Sequence, residues 1–138
     1  MKITERRRAR ETALKILYRE AVVAGSTDKS FNSVIEGLSG DKHRGAREYC
    51  EKLLEGVKNN VEDIDSLIES SLKNWSIDRL GILDLNILRI AVFELKWLGD
   101  EVPFKVAIDE ALELAKRYSA DESARFINGV LDAVAKSV

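Results

Sequence analysis

A chain of 138 residues, 45% hydrophobic and 33% charged, is sized for a single domain with a core of its own, without help from disulfides or metals. Cys50 is the only cysteine and His43 the only histidine, which excludes an internal disulfide and an ordinary structural zinc site and fits a reducing, cytoplasmic setting. The net charge of −2 hides an asymmetry: residues 1–10 hold five basic residues against Glu5, a net of +4, leaving −6 for the remainder, which marks a local anion-binding surface.

Apolar residues recur at helical spacing almost everywhere and no alternating strand is found, so the expected class is all-α. The first helix is expected from about Glu5 to Ala24, with the stripe Ala9, Ala13, Ile16, Leu17 and Ala21 inward and Arg7, Leu14 and Tyr18 on a neighbouring flank. A short helix follows Ser30, carrying Phe31, Val34, Ile35 and Leu38, and Gly40 closes it. Asp41 is placed to cap a third helix reaching Lys58, and Asn60 to cap a fourth over Val61–Lys73 with Ile64, Leu67, Ile68 and Leu72 on one face. Residues 74–81 form a turn and a short helical piece. The segment Ile82–Leu98 is apolar on nearly every side and is expected at the centre of the fold. Asp84, Arg89, Glu94 and Lys96 interrupt it, which argues against a membrane span. Pro103 suits a helix start, followed by the stripe Ala107, Ala111, Leu114, Ala115 and Tyr118. Asp121 caps the last helix, with Phe126, Ile127, Val130, Leu131 and Val134 inward. The expected organisation is one domain with subdomains near 1–59 and 60–138.

Little in this chain suggests catalysis. There is no glycine-rich nucleotide loop, no metal-ligand spacing and no Cys/His pair, so no cofactor is expected and the chain is not read as an enzyme. Asp109, Glu110 and Glu113 read as a solvated helix face rather than paired catalytic carboxylates. Arg89 and Glu94 stand about 140° apart on the helical wheel, so each needs a partner elsewhere in the fold.

The cluster Arg6, Arg7, Arg8 and Arg10, with Lys2 before it, breaks a local rule, because a helix N-terminus favours acids over cations. An anion docked there would meet the arginines and the free N–H groups of the first turn together. Several arginines over two turns match a line of phosphates, and single-stranded RNA fits better than duplex DNA in the absence of a helix-turn-helix pattern. Tyr18, Tyr118 and Phe126 are candidate stacking platforms for unpaired bases.

Arg6-Arg7-Arg8-Ala9-Arg10-Glu11 and Ala13–Tyr18 resemble the opening of the bacterial NusB family of transcription antitermination factors. Ile87–Leu95, Val102–Ala111 through Leu114–Lys116, and Phe126–Asp132 agree with the same family in the same order. The resemblance implies an all-helical fold of about seven helices in two small packed bundles. It further implies binding of boxA RNA together with NusE, a small-subunit ribosomal protein, within the RNA polymerase antitermination complex that reads through ribosomal RNA operons. Carried onto this sequence, Lys2, Arg6, Arg7, Arg10, Glu122 and Phe126 would face RNA, while Tyr18 and Asp84 would face NusE. Arg89, Glu94 and Gly129 would be structural, Gly129 by letting another helix approach closely. The competing reading is a protein-only helical scaffold or homodimer that uses the Tyr18 flank.

Overall fold

The computed structural model describes residues 3–22, 40, 43–73 and 76–138. Six α-helices occur among them: α1 (Ile3–Val22), α2 (Arg44–Asn59), α3 (Val61–Ser70), α4 (Ile82–Trp97), α5 (Phe104–Tyr118) and α6 (Asp121–Ser137), with a 3-10 turn at Ile77–Arg79. The helix expected after Ser30 and the cap expected of Asp41 lie outside the described residues. The chain divides into two compact units, Met1–Gly56 and Val57–Val138.

In the first unit, Ala9, Ala13, Ile16 and Leu17 of α1 are buried as the periodicity requires, and Leu14 joins them. Ala21, the expected end of that stripe, is exposed. On α2 the buried face is Ala46, Tyr49, Cys50, Leu53 and Leu54. Two glycines shape the entry to α2. Gly40 holds φ at +93°, a conformation that L side chains rarely adopt, and its carbonyl accepts the His43 N–H at 3.2 Å. Gly45 admits the Glu5 carboxylate, since a β-carbon there would stand 2.6 Å from Glu5 Oε2. Glu5 thus brings negative charge to the first turn of α2, where the helix dipole favours it.

Cys50 is fully buried, and burial, with a smaller contribution from Glu51, pushes its thiol up from 9.0 to about 12. The folded chain therefore keeps this proton where the unfolded chain loses it. The stability tied to the protonated thiol is complete below pH 9 and is lost as pH rises towards 12. Denaturant titrations repeated at rising pH should show wild type losing stability relative to Cys50→Ala within that window. At neutral pH a thiol-reactive probe should label the native protein only as fast as it unfolds.

The second unit is built around α4, whose residues from Asn86 to Leu95 are all buried except Arg89; α3, α5 and α6 all pack on it, and α5 packs on α6. Arg89 and Glu94 find separate surroundings, as their angular separation demands. The Arg89 guanidinium donates two bonds of 2.8 Å to the Asp65 carboxylate on α3, Nε to Oδ1 and Nη2 to Oδ2. Its remaining nitrogen lies 3.5 Å from Asn86 Oδ1, and Asn86 in turn donates to the Ile82 carbonyl at 2.9 Å. Glu94 is buried.

Three local expectations are corrected. Asn60 occupies the start of α3 but makes no side-chain cap bond; its carbonyl accepts the Ile64 N–H instead. The last helix is preceded by Ala120, so Asp121 and Glu122 lie inside its first turn and act through the helix dipole. Glu110 is buried while Asp109 and Glu113 are exposed, because Glu110 stands three residues after Ala107 and four before Leu114, on the apolar stripe of α5.

Candidate nucleic-acid interface

The residues singled out in the sequence fall into two groups, one in each unit. In the first unit, the arginines occupy the first two turns of α1; Lys2 lies outside the described residues. Arg7 and Arg8 are exposed and Arg6 is half-buried. Arg10 is only 2% exposed, which differs from the solvent-facing position expected of it. The reason is its register: Arg10 stands three residues before Ala13 and seven before Leu17, on the buried stripe. Arg6 and Arg10, one turn apart, both lie against the ring of Tyr49, with guanidinium carbons 5.1 and 5.7 Å from its centroid. A cation over an aromatic face gains about 0.5–1 kcal/mol at exposed sites and more where water is excluded. Arg8 turns to His43, its Nη1 3.1 Å from Nδ1 and 3.3 Å from Nε2, and its own carbonyl accepts the Thr12 hydroxyl at 2.9 Å. The outcome is a cationic patch in which Arg7 and Arg8 reach solvent while Arg6 and Arg10 are seated on α2. Tyr18, further along α1, is 39% exposed and Val22, one turn on, is 49% exposed.

In the second unit, Asp84, Glu122 and Phe126 come together around one groove of about 270 Å³, closed on another side by Arg79, Leu80 and Gly81. Asp84 sits in the first turn of α4. The hydroxyls of Ser119 and Ser123 each stand 2.9 Å from one of its carboxylate oxygens and 2.9 Å from each other. Two hydroxyl protons serve three short contacts, and the charged carboxylate is the stronger acceptor. Both protons therefore point to Asp84, which ties the start of α4 to the α5–α6 turn and to the first turns of α6, where Glu122 and Phe126 sit. Phe126 and Tyr118 are half-buried and Glu122 is exposed. Gly129 is exposed, and a β-carbon there would meet nothing within 4 Å. The expectation that Gly129 permits close helix packing is therefore wrong among the described residues.

No group of three or more His, Cys, Asp or Glu among the described residues is placed to hold a metal ion. No helix among them is long and apolar enough to cross a membrane.

The NusB family profile matches residues 7–136. The chain belongs to the NusB family. The transcription antitermination protein NusB of Listeria monocytogenes serotype 4a is 44% identical over 131 residues, spanning 95% of this chain and 96% of that protein. Its namesake from Bdellovibrio bacteriovorus is 39% identical over 137 residues and 99% of both chains. Among solved structures, the crystal structure of antitermination factors NusB and NusE in complex with dsRNA superposes with a TM-score of 0.85 at 33% identity, covering 99% of this chain and 100% of that one. A NusB-family fold is thus common to these proteins and to this chain, and its all-helical character agrees with the periodicity.

Sequence reasoning missed two supports of these surfaces. Tyr49 shares the apolar face of α2 with Leu53, and nothing in that spacing marks it as the seat of two arginines. The spacing Arg6–Arg10–Ala13–Leu17, which continues the apolar stripe into the cationic cluster, carries that signal. Ser119 and Ser123 were not singled out at all, since their pairing with Asp84 spans 35 and 39 residues of sequence.

Proposed function

We propose that this protein is a cytoplasmic transcription antitermination factor that binds boxA single-stranded RNA together with NusE and supports processive transcription of ribosomal RNA operons, without catalysing a reaction. The observation that carries this reading is the coincidence of NusB-family membership over nearly the whole chain with a cationic patch on the first turns of α1. Lys2, Arg6 and Arg7 engage phosphates, and Arg10 acts from beneath by sharing the Tyr49 ring with Arg6. Phe126 offers its ring to an unpaired base beside Glu122, while Tyr18 and Asp84 face NusE.

The test is a titration of boxA RNA, a scrambled strand and a duplex of the same sequence, each with and without NusE. The expected result is tightest binding to single-stranded boxA, strengthened by NusE. Equal affinity for boxA and scrambled strands under both conditions would refute the reading. A second reading, a homodimer or protein-only scaffold, draws support from Tyr18 and Val22, exposed one turn apart on α1. Sedimentation separates the two: a dimer whose mass never shifts on adding boxA RNA favours the scaffold.

A further inference from the structure

A second groove, of about 530 Å³, runs along α6 in the second unit, and the functional reading above leaves it unused. Leu72, Phe126 and Val130 give it an apolar lining, and Lys73, Arg125 and Lys136 give it cations. Lys136 stands 3.5 Å from Asp132 in an exposed i,i+4 pair, which solvent largely screens. Lys73 and Arg125 are exposed and make no ion pair among the described residues. Gly129 also lines this groove, in the interior of a 17-residue helix. Glycine weakens a helix relative to alanine, yet nothing among the described residues crowds a β-carbon at this position. The missing side chain leaves α6 bare where the groove passes over it. Phe126 lines both this groove and the one beside Asp84.

We infer that the groove is a second single-stranded RNA subsite. Its cations take the phosphates of nucleotides that continue from the base stacked on Phe126, and Gly129 leaves room for the strand against α6. Lys73 and Arg125 supply the charge, and the apolar lining favours a flexible strand with exposed base faces over a compact anion. This inference rests on the proposed placement of Phe126 beside RNA.

The experiment uses the full chain with NusE and three labelled RNAs: the boxA element alone, and boxA extended by six uridines at its 5′ or its 3′ end. Wild type should bind one extended RNA more tightly than the minimal element. Lys73→Gln with Arg125→Gln should abolish that gain and reduce the slope of log K against log salt for the extended RNA by about 1.4, at about 0.7 for each lost contact, while minimal boxA binds as before. Gly129→Leu, which projects into open groove and removes a helix-weakening residue, should also abolish the gain while leaving the thermal midpoint at or above that of wild type. The inference is overturned if neither extension improves binding, or if the gain survives in both variants. It is equally overturned if the variants lose NusE while keeping the gain, which would assign the groove to a protein. Failure of the functional reading itself would appear elsewhere, as loss of discrimination between minimal boxA and a scrambled strand.

Discussion

Alanine at both Arg6 and Arg7 should weaken boxA binding about 25-fold at roughly 0.1 M salt, and should lower the slope of log K against log salt by about 1.4. Both figures follow from two lost phosphate contacts on a single strand, each releasing about 0.7 of a counterion. Arg7 is exposed, so its single replacement should leave stability within about 0.5 kcal/mol of wild type. Arg10 should behave in the opposite way. It is buried against Tyr49, so Arg10→Ala opens a space beside the ring and should cost about 1–3 kcal/mol of folding stability. Its effect on RNA would then be indirect, through the seating of Arg6. Salt-dependent anisotropy titrations paired with urea unfolding separate the two kinds of arginine. Unchanged affinity and slope in a folded Arg6→Ala/Arg7→Ala protein would remove the patch from the interface.

Breaking the Arg89–Asp65 pair should give the largest loss of stability among the polar contacts described. The two bonds are 2.8 Å long and form a fork between α4 and α3, with side chains 22% and 27% exposed. Exposed ion pairs contribute little, but charge-assisted, two-pronged bonds at this degree of burial are stronger. Asp65→Ala or Arg89→Ala should each cost about 2–3 kcal/mol, a fall in the thermal midpoint of about 6–12 °C for a chain of this size. Arg89→Lys keeps the charge but not the fork and should fall between wild type and alanine. The double alanine variant should lose less than the two singles together, since neither charge is then stranded. Additive losses in a double-mutant cycle would show that the two side chains act independently.

The all-helical class was legible because the apolar stripes of α1, α2, α5 and α6 repeat at helical spacing, and because α4 is apolar on nearly every side, which suits a central helix. Helix ends were less legible. Asn60 and Asp121 are residue types that cap helices, yet Asn60 makes no side-chain cap bond and Asp121 falls one position inside its helix, and residue type alone settles neither the side-chain orientation nor the exact boundary. In the candidate interface, the density of arginine on α1 was evident from the sequence, but not which of them point outward. Arg10 needed its register read against Ala13 and Leu17, and Tyr49 needed a partner some forty residues away. Gly129 misled because a glycine inside a helix reads as room for a neighbouring helix, and among the described residues nothing stands within 4 Å of a β-carbon placed there.

Seating Arg6 on the Tyr49 ring, with the buried Arg10 sharing that ring, bears on the proposed recognition of RNA. A long cation that grips a phosphate ordinarily gives up side-chain freedom at that moment, a loss of up to about 1.5–2 kcal/mol for each arginine. Where folding has already frozen the side chain, that loss no longer falls on the encounter with RNA. Under the proposed function, discrimination among strands would then rest on the intervals between held charges as well as on their number, and a polyanion whose phosphates cannot match those intervals would gain less from the patch.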